Sequence, residues 1–211
     1  MDRKIIVFGA TGNSGIEICN KLSKKNQEYS VFIRKGSEGK LKSKSTDIIY
    51  GNVLDLNEVK SALLDKGYTD IIIALGSRDL KGVPVRSTGT KNIIDSLVGS
   101  SLCGKLHVIS AHGIGNSWNK LSWIEKLISK LLIGKTMKDH ELQESYINSY
   151  SVEHHIVRPV ALKDTVGNGK IICDNDAPLP SSEISREDLA TFIIDSLFSN
   201  KVGVSSICNG K

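Results

Sequence analysis

The turn that begins at residue 9 constrains this chain more than any other feature. Gly9-Ala-Thr-Gly12-Asn-Ser-Gly15 follows the apolar run Ile5-Ile-Val-Phe8 and opens a segment with helical spacing at Ile16, Cys19 and Leu22. The spacing, G-x-x-G-x-x-G, is one residue wider than the common dinucleotide fingerprint, and the physics is unchanged. Gly9 allows the tight turn, and Gly12 lets backbone N–H groups approach a pyrophosphate. Gly15 lets the helix pack closely, while the helix N-terminus stabilises negative charge. The pattern takes its meaning from its setting between a strand and an amphipathic helix.

The rest of the first half repeats that alternation. Apolar runs over residues 4–8, 29–33, 47–50, 70–75 and 106–109 are separated by helical spacing over 16–22, 57–64 and 84–98. Strands that are continuously apolar, with helices between them, predict a parallel sheet buried on both faces, an α/β doubly wound domain. A length of 211 residues fits a single domain over 1–211, with no internal repeat. In the second half we expect a helix over 139–149, strands over 153–157 and 170–173, and a helix over 186–198. Ser185 and Asp188 form a capping box for that last helix. These pieces predict a substrate region built from about 111–185, at the carboxyl end of the sheet.

Formal net charge is +5, and the excess is local. Residues 34–44 carry Arg34, Lys35, Lys40, Lys42 and Lys44 against Glu38, and residues 117–138 carry Lys120, Lys126, Lys130, Lys135 and Lys138 against Glu125. The first segment starts where the second strand should end, where an NAD-binding protein usually sets an acid against the ribose hydroxyls. Here stand Arg34 and Lys35, with no acid before Glu38. Cationic donors suit a 2′-phosphate, which predicts NADPH over NADH. No aromatic residues interleave with the lysines, which argues against nucleic acid as a partner. Cys19, Cys103, Cys173 and Cys208 are scattered, with no C-x-x-C, so we expect reduced thiols, no metal site and a cytoplasmic location. No apolar run is long enough for a signal segment or a membrane span.

Candidate chemistry sits beyond the strand at 106–109. None of the five tyrosines has Lys four residues on, so a Y-x-x-x-K pair is absent. Hydride transfer to a flat conjugated acceptor remains open, because such an acceptor needs mainly a stacked nicotinamide. The candidate polar groups are Ser110, to orient an acceptor carbonyl, His112, to donate a proton, and Lys138 and His140. Both tryptophans lie in a stretch with an apolar helical stripe, Trp118 to Leu132, and lysines largely off that stripe. We expect a helix over 118–132, packed on its own domain or acting as a lid in which Trp118 or Trp123 stacks on an aromatic substrate. Such a basic amphipathic helix also fits a membrane surface or an acidic protein partner.

The chain resembles the atypical short-chain dehydrogenases of the NmrA-like branch, and within it the NADPH-dependent flavin and biliverdin-IXβ reductases. The resemblance runs through IIVFGATGNSG, VFIRKGS, Gly51-Asn-Val-Leu, Leu75-Gly-Ser-Arg78-Asp-Leu, Gly89-Thr-Lys-Asn-Ile93 and Val108-Ile-Ser-Ala111. It continues through Asp139-His140, His155-Ile-Val-Arg-Pro159 and Ile184-Ser-Arg-Glu-Asp-Leu189. It implies a single Rossmann-like domain with NADPH lying across the sheet. Thr11, Gly12, Asn13 and Ser14 would contact the phosphates, with Arg34 and Lys35 beside the 2′-phosphate. Asn52 and Val53 would hold the adenine, and Leu75, Gly76, Ser77 and Arg78 would line the ribose path. Ser110 would face the nicotinamide or substrate, and Pro159 and Val160 would close over the nicotinamide. Two positions depart from the family pattern: Asn52 stands in place of an Asp, and Ala161 in place of a His. The stretch between Ser110 and His140 departs as well.

The expected function is NADPH-dependent hydride transfer to a flavin, a quinone or a linear tetrapyrrole. Two alternatives stand beside it: an NADP(H) sensor without turnover, and a nucleotide-binding epimerase or isomerase.

Overall fold

Each apolar run becomes a strand, and alternate side chains on it face opposite helix layers. The computed structural model describes residues 3–43, 47–64, 66–76, 84–98, 104–120 and 134–211. The strands of the main sheet are β1 (Ile5–Phe8), β2 (Tyr29–Ile33), β3 (Asp47–Tyr50), β4 (Asp70–Ile73), β5 (Lys105–Ile109), β6 (His154–Pro159), β8 (Ile171–Cys173) and β10 (Gly203–Asn209). Their order is β3-β2-β1-β4-β5-β6-β10-β8. All neighbours run parallel except β8, which pairs antiparallel with β10. The order reverses between β1 and β4, with Ile5 between Tyr29 and Asp70 in register. Ligands of open α/β sheets bind in the crevice at such a reversal.

The helices are α1 (Asn13–Lys24), α2 (Leu56–Leu63), α3 (Val85–Leu97), α4 (Gly134–Asn148) and α5 (Arg186–Phe198). Ile5, Val7, Val31, Ile33 and Ile72 pack with Ile18 and Leu22 of α1 and with Leu189 and Ile193 of α5. Ile6, Phe8, Phe32, Ile71, Ile73 and Val108 pack on the other face with Val59 and Leu63 of α2, Ile93 and Ile94 of α3, and Ile147 of α4. Successive strand residues alternate faces, so a strand with no polar position is one covered on both sides.

Three expectations change. The helix expected from 139 begins at Gly134, five residues earlier. The helix expected over 118–132 is replaced at its start by a 3-10 turn, Gly115–Lys120, and residues 121–133, including Trp123, lie outside the described residues. Gly115, at positive φ, lets the chain bend close to Arg158. The capping box at α5 is half made: Ser185 Oγ accepts from the Asp188 N–H at 2.9 Å, while the Ser185 N–H donates to Asn209 Oδ1. The Asp188 carboxylate instead accepts from the N–H groups of Asn168 and Gly169, pinning the loop before β8. A further parallel pair, β7 (Ala161–Lys163) with β9 (Glu183–Ser185), lies outside the main sheet.

Candidate nucleotide and acceptor site

The first part of the site is the turn between β1 and α1. Gly9 has φ +86°, and a Cβ there would lie 2.4 Å from the Ala74 carbonyl oxygen at the end of β4. Gly12 donates to the Gly9 carbonyl at 3.0 Å, and a Cβ at Gly15 would sit 2.1 Å from that same oxygen. Turn, strand end and helix start are therefore too close for side chains. No side chain caps α1 and its first turn holds no acid, whereas Asp55 caps α2 and Ser185 caps α5. The N-terminal dipole of α1 thus faces a cradle of backbone that suits a pyrophosphate. Thr11 and Ser14 are half-buried at this turn, and Asn13 is exposed, 3.5 Å from Asp164.

Arg34 and Lys35 follow the last residue of β2 and are both exposed. Glu38, the nearest acid, accepts from the Gly36 N–H at 3.1 Å. That bond, after the one within its own residue, holds the Glu38 carboxyl below its ordinary pKa. The acid therefore closes its own turn, and the basic pair stands exposed at the end of β2. Asn52 accepts from the Leu54 N–H at 3.1 Å and donates its own N–H to Glu58, which shapes the turn after β3. Val53 is buried, and its carbonyl accepts from Asn92 of α3 at 2.9 Å. Leu75 and Gly76 follow β4, next to the Gly9 turn, while Ser77 and Arg78 lie outside the described residues. Gly89 of α3 also matters here. A Cβ on it would lie 2.7 Å from Leu75 and 2.9 Å from Val53, so a glycine lets α3 approach both.

The second part of the site gathers at the ends of β5 and β6. Ser110 donates to Glu144 Oε1 of α4 at 2.5 Å, so its hydroxyl bonds to a carboxylate and not to a strand-end backbone group. Glu144 is held in turn by Arg158 of β6, through Nε to Oε1 at 3.0 Å and Nη2 to Oε2 at 2.6 Å. Arg158 Nη1 also donates to Asn116 Oδ1 at 2.6 Å, tying in the turn that carries Trp118. Glu144, Arg158 and Asn116 escaped the sequence reading. The available signals were a charged residue inside the apolar run of β6 and an acid four residues after His140.

The remaining candidates separate. His140 is buried on α4, and burial, helped by the Arg86 charge, pushes it down to about 4, so it is neutral at pH 7. Lys138 lies on the exposed side of the same helix with Glu141 and Leu142, and is not brought to the cluster. His112 is half-buried, its backbone N–H donating to the Pro159 carbonyl at 2.8 Å. Pro159 is buried at the end of β6, and Val160 donates to the Ile207 carbonyl at 3.2 Å. Trp118 is half-buried on its 3-10 turn. Among the described residues no group of three or more His, Cys, Asp or Glu could hold a metal ion, and no helix is long and apolar enough to cross a membrane.

A sheet reversal, a glycine-lined turn at a helix N-terminus and a cationic strand end together suit a dinucleotide. The chain belongs to the NAD(P)H-binding family, which matches residues 9–200. It is 22% identical over 206 residues to an uncharacterized chloroplastic protein of Arabidopsis thaliana, covering 92% of this chain and 72% of that relative. Among solved structures it is similar to ChuY, an anaerobilin reductase from Escherichia coli O157:H7, with 20% identity and a TM-score of 0.81 over 99% of this chain and 98% of that one. A short-chain dehydrogenase/reductase of Veillonella parvula in complex with NADP gives 12% identity and a TM-score of 0.78, over 99% and 95% of the two chains. The fold is the one expected, a Rossmann-like α/β domain with a mostly parallel sheet.

Proposed function

We propose that this protein is an NADPH-dependent reductase that moves hydride to a flat conjugated acceptor, a flavin, quinone or linear tetrapyrrole. The observation that carries the cofactor choice is the end of β2, where Arg34 and Lys35 are exposed while Glu38 is engaged by its own turn. A guanidinium can hold a 2′-phosphate with two parallel bonds, and an engaged carboxylate does not compete for the ribose hydroxyls. The similarity to an NADP complex and to an anaerobilin reductase supports the same reading.

Bound in the cradle, the nicotinamide would supply the hydride. The protein's part is to hold the phosphates on the Gly9–Gly15 turn, to place the ring beside Ser110 and Pro159, and to exclude water. The acceptor region would be built from about 111–185. With His140 neutral and the Ser110 proton engaged by Glu144, neither of these two groups offers an acid to an alkoxide. That favours acceptors whose proton comes from water over simple carbonyls.

Purified protein titrated with each cofactor tests the choice. Tighter binding of NADPH than NADH is expected, and Arg34→Ala should weaken NADPH by roughly 10- to 150-fold, the worth of one charge-assisted contact, while leaving NADH nearly unchanged. Equal affinity for both cofactors in the unaltered protein would refute the assignment. Turnover with FMN, menadione or biliverdin, followed at the nicotinamide absorbance, tests the reductase reading. Tight NADPH binding with no oxidation by any of the three would favour an NADP(H) sensor.

A further inference from the structure

The pairing around Ser110 fixes more than its position, because it also fixes the direction of its proton. A serine hydroxyl has one donor and two acceptor lone pairs. The donor is spent on Glu144 Oε1 at 2.5 Å. A carboxylate gripped by a guanidinium through two parallel bonds accepts and does not donate, so the bond runs only from Ser110 to Glu144. The grip cannot swing aside easily. Arg158 is also held by Asn116, and its Nη2 lies 2.9 Å from where a Cβ on Gly115 would be. The Ser110 backbone is fastened too, its N–H donating to the Val157 carbonyl at 2.8 Å. Ser110, Glu144 and Arg158 are each less than a tenth exposed, so water does not loosen the arrangement. Among the described residues no donor reaches the Ser110 oxygen.

We propose that Ser110 accepts a hydrogen bond from an N–H of the acceptor, and that Glu144 and Arg158 are the positioning residues that point its lone pairs at the ligand. The substrate class this selects is the conjugated acceptor with an imide or lactam N–H, as in an isoalloxazine ring or a linear tetrapyrrole. Quinones present only carbonyl oxygens and would set lone pairs against lone pairs. The inference rests on the reductase reading and narrows it. Sites built to pair a polar group reject analogues that lack it far more strongly than apolar pockets reject a change of size.

The test compares lumiflavin, 3-methyl-lumiflavin and menadione as acceptors for NADPH, with unaltered protein and with Ser110→Ala. In the unaltered protein, kcat/KM is expected to be at least tenfold higher for lumiflavin than for its 3-methyl form or for menadione. In Ser110→Ala the ratio between the two flavins should fall to near one, with the NADPH dissociation constant unchanged within twofold. Glu144→Gln should flatten the same ratio. Where that variant does not fold, Arg158→Lys, which keeps the charge and loses the fork, carries the same expectation. An equal ratio in unaltered protein and Ser110→Ala overturns the proposal and leaves the reductase reading intact. A weakened NADPH affinity in Ser110→Ala with the ratio retained also overturns it, by assigning the hydroxyl to the cofactor carboxamide. No oxidation of NADPH by any acceptor overturns the reductase reading together with this one.

Discussion

A methyl group at position 15 would sit 2.1 Å from the Gly9 carbonyl oxygen and 2.9 Å from the Ala10 Cα, and neither is a side chain that can turn away. Gly15→Ala is therefore expected to cost about 1–3 kcal/mol of stability, the usual range for forcing extra volume into packed surroundings. The same change should remove the thermal stabilisation given by NADPH. Differential scanning fluorimetry with and without cofactor measures both effects, and unchanged stabilisation would count against the cradle. At this scale the sequence is informative wherever a residue answers a local demand. Gly9, Gly15 and Arg34 are legible because backbone sterics and the end of one strand specify them within a few positions. Glu144 and Arg158 are not, because their role depends on Ser110, 34 positions from Glu144.

The start of α3 shows the limit of local signals at the scale of elements. Its N-cap is Pro84, which supplies no side-chain bond. The cap comes instead from α4, where Asp139 accepts from the N–H groups of Arg86 at 3.2 Å and Ser87 at 3.0 Å, and from Ser87 Oγ at 2.6 Å. Asp139→Ala should cost about 1–2 kcal/mol, as loss of a helix cap does. Urea unfolding would show this as a lower midpoint with an unchanged slope. The cap of α5 was legible because Ser185 lies just before the helix it serves. Asp139 belongs to another helix, and only the packing of α3 on α4 makes it a cap. Trp118 teaches the same lesson from the other side. Its apolar periodicity predicts a helix, yet Gly115 and the hold of Asn116 on Arg158 bend the chain into a 3-10 turn.

At the scale of the whole molecule, one polar row crosses the buried sheet near the start of four strands. Arg3 pairs with Asp70 at 2.8 Å, His107 Nε2 lies 2.9 Å from Asp70, and His155 Nε2 lies 2.9 Å from Ser205 Oγ. Burial, and then the nearby positive charges, pushes His155 down to about 3. His140 lies at about 4 for similar reasons. Both bind a proton more weakly in the folded chain than in the unfolded one, where histidine titrates near 6.5. Their contribution to stability is thus complete above about pH 6.5 and is lost as pH falls towards the folded values, by about 1.4 kcal/mol per unit for each. The urea midpoint should stay level from pH 8 to 7 and drop between pH 6.5 and 5. His155→Gln should shallow that drop, and a level profile in the unaltered protein would contradict the argument.

The sequence by itself determined the strand–turn–helix, the alternation that makes a parallel sheet and the cationic end of β2. Each is encoded by periodicity or backbone sterics over a few neighbouring residues. Only the tertiary structure decided where buried charges meet. Ser110, Glu144 and Arg158 come from β5, α4 and β6, and sheet order and helix docking, which no short stretch of sequence contains, bring them together.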